Sequence, residues 1–133
     1  MVSVTFNLKT NTGKNLEFLQ TIGSIIIGLR KVEGCKNIDL QQDDKIKEQF
    51  SLQLNWQNKK RLMALIDSSE FEIFQGGIQV LCEPPLINIY DGHNTISKDA
   101  KKNRNNNFIE QIRIKLMESE NNNESNNLKE IKA

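Results

Sequence analysis

Residues 2 to 9 alternate strictly, with Val2, Val4, Phe6 and Leu8 on one side and Ser3, Thr5, Asn7 and Lys9 on the other. A period of two belongs to a strand with one buried face. After a turn at Asn11-Thr12-Gly13 the period lengthens. Phe18, Ile22, Ile25, Leu29 and Val32 step by three and four, with Leu19 and Ile26 beside them, which predicts an amphipathic helix. Gly34 stands where a left-handed cap ends such a helix. Gly23 and Gly28 lie inside it, each costing up to ~1 kcal/mol relative to alanine, so a close approach to a sheet or partner is expected there.

Alternation returns twice more. Ile38 and Leu40 mark a strand within Cys35 to Gln42, and Asp43-Asp44-Lys45 connects it to a second strand. There Phe50, Leu52, Leu54 and Trp56 point inward and Gln49, Ser51, Gln53 and Asn55 outward, so the two strands form an antiparallel hairpin. Leu62, Leu65 and Ile66 predict a short helix over 58–67. Ser69 and Glu72 have the spacing of a capping box, opening a further helix with Phe71, Phe74, Ile78 and Leu81 as its inner stripe. Pro84-Pro85 stops that helix, and Ile87 and Ile89 begin a last strand. The order β-α-β-β-α-α-β predicts an α+β, ferredoxin-like sandwich, one antiparallel sheet with helices on one face.

Asparagine then changes the character of the chain. Residues 103 to 127 hold nine asparagines, few of them near an apolar side chain, and such a stretch buries too little surface to offset its ordering entropy. The folded domain is therefore expected over residues 1–92, followed by an Asn-rich, largely disordered tail over 93–133. Phe108, Ile109, Ile112 and Leu116 could share one face of a short helix over 108–117, either transient or docked on the domain. A chain ending at Gly92 is expected to melt within a few degrees of the full one.

Charge and composition narrow the function classes. Eighteen basic and 17 acidic residues give a net charge of +1, too little to favour a polyanion. The cluster Lys98, Lys101, Lys102 and Arg104 has no aromatic to stack on a base and reads as solvated linker, so no nucleic acid is expected. Two cysteines make no disulfide framework, one histidine makes no His-rich metal site, and no metal or cofactor is expected. The longest apolar run, Ile25-Ile26-Ile27, is far short of the ~20 residues of a membrane span. With no apolar signal segment at MVSVTFNLKT, a soluble, cytoplasmic protein is expected.

With these elements in place, the chain resembles the antibiotic biosynthesis monooxygenase domain family of the dimeric α/β-barrel superfamily. The resemblance covers roughly residues 2 to 91. It rests on Thr12-Gly13-Lys14, Val32-Glu33-Gly34-Cys35, Leu54-Asn55-Trp56, Ser68-Ser69-Glu70-Phe71 and Glu83-Pro84-Pro85. The resemblance implies a homodimer and, in active members, cofactor-independent oxidation of aromatic compounds. Several functional positions depart from the family pattern. Glu70 stands where members commonly carry a histidine. The haem-degrading branch has tryptophan and histidine where this chain has Leu65 and Gln75, and an asparagine where it has Phe6; Asn7 next door faces the other way. The branch that oxidises polyketides has asparagine and tyrosine at the places of Leu52 and Leu62. Only Trp56 is kept from either set.

Cofactor-free oxygenation asks a pocket to hold an electron-rich aromatic, stabilise its anion and exclude water. Phe6, Trp56, Phe71 and Phe74 could line such a pocket, or could simply fill a core. Trp56 and Glu70 are the candidate catalytic residues, Glu70 only if it is buried enough to raise its pKa. Cys35 and Cys82 read as small buried hydrophobes, His93 as a surface loop residue, and the face of Tyr90 is left open by the pattern. Two functions remain: a monooxygenase or quinol oxidase acting on a small aromatic, implied by the resemblance alone, and a non-catalytic ligand-binding or interaction module that keeps the fold without the site. The expected homodimer is weak and wet, because the sheet face away from the helices carries Ser3, Thr5, Asn7, Gln49, Ser51, Gln53 and Asn55.

Overall fold

A computed structural model describes residues 1–92, the backbone of 95–98, and residues 107–118. The elements run β1 (Val2–Lys9), α1 (Asn15–Arg30), β2 (Cys35–Gln42), β3 (Gln49–Trp56), α2 (Lys59–Ile66), α3 (Ser69–Leu81), β4 (Leu86–Tyr90) and β5 (Thr95–Lys98). A helix over residues 108–118, here α4, follows. The strands form one sheet in the order β2-β3-β1-β4-β5, every neighbour antiparallel. The ferredoxin-like α+β order is the expected one, with β5 added at the edge and α4 after it. In the centre, Phe6 pairs with Leu52 on one side and Ile87 on the other. Pairing in register puts Val2, Val4, Phe6 and Leu8 on the same face as Phe50, Leu52, Leu54 and Trp56, and all eight are buried. The helices cover that face.

Local chemistry sets the joints. Asn58 caps α2 by accepting from the Arg61 backbone N–H at 2.9 Å. Helix α3 begins one residue earlier than the Ser69 box predicts. Ser68 is its cap, accepting from the Phe71 N–H at 3.2 Å, while the Ser69 hydroxyl donates to Glu70. Two adjacent serines offer equivalent oxygens, and the one left in extended backbone takes the role. Helix α1 ends at Lys31, three residues before Gly34. Gly34 is needed for another reason: its φ is +99°, and a Cβ there would lie 2.6 Å from the Arg61 Cβ and 2.8 Å from the Trp56 Nε1. Among the described residues no close approach is made at Gly23 or Gly28, since a Cβ at either would meet open space.

Helix α4 alters the domain boundary. Phe108, Ile109, Ile112 and Leu116 are all buried, and they join the same core as the β1 and α3 side chains. The core therefore extends past the boundary expected at residue 92, because the periodic face at 108–116 has an apolar surface to dock on. Its amide end is received by Gln75, whose side-chain oxygen accepts from the Ile109 N–H at 3.0 Å. Arg113 on its outer side pairs with Asp67 and Glu110. The rest of the expected disordered tail, and His93, lie outside the described residues.

Removing α4 would return Phe6, Phe71 and Phe74 to water. A chain ending at Gly92 is thus expected to melt about ten degrees or more below the full chain, the shift that a loss of roughly 2 kcal/mol produces in a domain of this size. Thermal unfolding followed by circular dichroism measures it. A difference of only a few degrees would show that α4 adds nothing to the fold.

Candidate functional site

Strand β1 and helix α3 build an enclosure of phenyl rings. The Phe6 ring lies 5.1 Å from Phe74 in an edge-on contact and 6.5 Å from Phe71, and Phe71 and Phe74 are 5.3 Å apart. These are ordinary distances for favourable aromatic pairs. Phe71 and Phe74 lie three residues apart on one face of α3, and Phe6 projects from the central strand beneath them. The space among them is filled. Phe108 of α4 stands edge-on to all three, with centroids 5.3 Å from Phe6, 6.0 Å from Phe71 and 5.5 Å from Phe74. All four rings are at most 1% exposed.

Trp56 does not share this enclosure. It pairs with Val2, four positions along the sheet from the Phe6–Leu52 pair, about 13 Å away at the usual strand rise. It is fully buried, and its indole N–H donates to the Glu33 carbonyl at 3.2 Å, beside the tight Gly34 turn. Glu70 lies in the first turn of α3 and is exposed, where the helix dipole favours a carboxylate. Leu52, Leu62 and Leu65 are core residues, and Asn7 is exposed on the other sheet face. Of the four pocket candidates, Phe6, Phe71 and Phe74 come together and Trp56 stands apart. Phe108 is the partner that a search among residues 1–92 misses, although its helical spacing with Ile112 and Leu116 is visible in the sequence.

The opposite face of the sheet is polar and internally bonded. The Ser3 hydroxyl donates to the Asn55 side-chain oxygen at 2.5 Å, Gln53 donates to the same oxygen at 3.1 Å, and the Asn55 amide donates to Asn37. Ser3 and Asn55 are buried by this ladder alone, whereas Leu86 and Tyr90 on the same face are exposed. Tyr90 therefore points away from the helices. A groove of about 450 Å³ opens at one end of this face, between Asn7, Ser51, Glu83 and Leu86. Among the described residues no three His, Cys, Asp or Glu side chains gather to hold a metal, and no helix is long and apolar enough to cross a membrane.

An antiparallel sheet with one apolar face under helices makes this a ferredoxin-like α+β domain. Residues 1–76 match the model of the antibiotic biosynthesis monooxygenase family, and the chain belongs to that family. Its fold is similar to that of a conserved protein from Methanosarcina mazei, 27% identical, with a TM-score of 0.62 over 68% of this chain and 90% of that one. A Nitrosomonas europaea protein provisionally named an antibiotic biosynthesis monooxygenase is 17% identical, with a TM-score of 0.64 over 71% of this chain and all of that one. SnoaB of Streptomyces nogalater, a cofactor-independent oxygenase solved as a variant, shares the fold at 10% identity, with a TM-score of 0.64 over 73% and 97%. No curated protein matches this sequence.

The two thiols are inert by environment. Burial raises Cys35, opposed in part by the charge of Arg30, and burial pushes Cys82 up to about 12 from an ordinary 9.0. A thiol whose pKa is higher folded than unfolded contributes stability that is intact below pH 9 and lost as the pH climbs from 9 towards 12. Urea midpoints for the wild type and Cys82→Val measured from pH 8 upward should therefore show the wild type losing stability relative to the variant above pH 9. A constant difference would show that the buried thiol does not hold its proton.

Proposed function

We propose that this protein is a cofactor-independent monooxygenase or quinol oxidase, acting on a small aromatic held among Phe6, Phe71 and Phe74. The observation that carries this is the enclosure itself. Three rings surround a space already shaped to a phenyl group, since Phe108 seats one there. Dry aromatic walls suit a flat, electron-rich ring and keep water from the reaction. In the oxidase reaction, a hydroquinone gives two electrons and two protons to dioxygen, leaving a quinone and hydrogen peroxide. Trp56 lies along the sheet from this enclosure, and Glu70 is exposed outside it.

A second reading is favoured by a specific observation. The ring contacts around the enclosure are all apolar, and Phe108 fills it, as suits a binding or interaction module without catalysis. Oxygen uptake with trimethylhydroquinone separates the two. The first reading expects protein-dependent uptake above the autoxidation rate, with matching peroxide. Uptake no faster than with denatured protein leaves only the module.

We also infer that the protein pairs as a homodimer through the polar sheet face. Leu86 and Tyr90 supply apolar area on this face, and the Ser3–Asn55–Asn37 ladder pairs part of its polar groups before a partner arrives. Light scattering over a dilution series should show a dimer of about micromolar affinity. A chain still monomeric at ~100 μM would defeat the assignment.

A further inference from the structure

Helix α4 lies beyond the matched residues 1–76 and supplies the one ring of the enclosure that β1 and α3 do not. At 11 residues it is too short to be stable alone, so it exists as a helix only while docked. Its attachments are of two kinds. The inner face inserts Phe108, Ile109, Ile112 and Leu116 into the core. The outer ties are weaker: the Gln75 bond to the Ile109 N–H, and the Arg113 pair with Asp67, whose side chains are 30% and 58% exposed. Exposed pairs of this kind contribute little. In the sequence between β5 and α4, residues 99–106, Ala100 is the one apolar side chain, the others being charged or asparagine.

We propose that α4 is a displaceable stopper, with Phe108 occupying in cis the seat of the aromatic ligand. This rests on reading the enclosure as a ligand site. The ring contacts Phe108 makes, edge-on to three phenyl groups, are those an aromatic ligand would make, and one space cannot hold both. Ligand and docked α4 exclude each other. The affinity measured for a ligand is then its affinity for the open enclosure multiplied by the fraction of chains with α4 undocked. Any change that loosens α4 without touching Phe6, Phe71, Phe74 or Phe108 should tighten ligand binding.

Two variants of the full chain test this, with naphthol as the probe. Arg113→Ala removes the outer ion pairs and leaves the core intact, and it should bind naphthol up to about fivefold more tightly than wild type. Ile112→Asp sets a charge on the docking face and should tighten binding by about tenfold or more. Saturating naphthol should speed hydrogen exchange at 108–118 in the wild type and leave β1, β3 and β4 protected. Unchanged protection of 108–118, weaker binding by Arg113→Ala than by wild type, or binding to none of the three proteins would overturn the stopper. Should Ile112→Asp fail to fold, Arg113→Ala and the exchange measurement still decide. Oxygen uptake with trimethylhydroquinone keeps the two ideas apart. Variants that bind naphthol tightly yet consume no oxygen support the stopper and remove the oxygenase. Uptake by wild type with 108–118 protected throughout removes the stopper and places the reaction outside the enclosure.

Discussion

The phenyl ring of Phe6 is the contact on which the rest of the molecule turns. It sits on the central strand, is fully buried, and meets rings from α3 and α4 at once. Its backbone neighbours on either side are Leu52 and Ile87, so three strands present apolar side chains to the helices at the same level. A period-two strand has no choice about which face this is. Shifting the register by one residue would turn Phe6 outward and bring Thr5 or Asn7 under α3. The placement of α3, the docking of α4 and the shape of the enclosure all follow from that one face being covered.

How legible this was in the sequence depends on the range of the cause. Alternation in β1 and β3, and the stripe of Phe71, Phe74, Ile78 and Leu81, are local and were readable, as was the order of the first seven elements. The cap at Ser68 rather than Ser69 turns on which residue is left in extended backbone, which spacing alone does not decide. β5 is four residues with Ile96 as its one large apolar side chain, too short for a period to register. The grouping of Trp56 with the phenylalanines failed for a geometric reason: sharing a face is not sharing a site when the residues are four positions apart along it. The apolar face of α4 was visible, but periodicity names a face and not the surface it covers. Gly34 shows the same limit, since its closest neighbours, Arg61 and Trp56, come from segments more than 20 residues away.

The polar side of the sheet is shaped by a different balance. Leaving one face wet is tolerable for an antiparallel sheet, yet Ser3 and Asn55 are buried on it without any second chain. They are buried by each other and by Gln53 and Asn37, each bond satisfying a group that would otherwise need water. Such a ladder lowers the penalty of excluding solvent, because the polar atoms are paired before a partner arrives. It also limits the gain, since little apolar area is added beyond Leu86 and Tyr90. A face built this way suits association that is reversible in concentration.

The enclosure and α4 must be weighed together, because the same contacts serve fold and site. Every ring that would welcome a ligand also welcomes Phe108, and the tethered ring has the advantage of proximity. A segment joined to its own binding site competes as though present at roughly millimolar concentration. Phe108 does not act alone, since Ile109, Ile112 and Leu116 dock with it. A single-ring phenol matches Phe108 in ring area but brings none of the neighbouring contacts, so it displaces α4 less readily than a larger ring system does. A ligand of two or three fused rings covers the area of Phe108 and part of that of Ile109 or Ile112, and it gives up less freedom on binding because it is rigid. Selection for larger, flat, apolar ligands thus follows from the competition itself. Phe6, Leu52 and Leu62 offer no polar group to choose a ligand, and what discriminates is the surface that a ligand must bury to displace its own chain's helix.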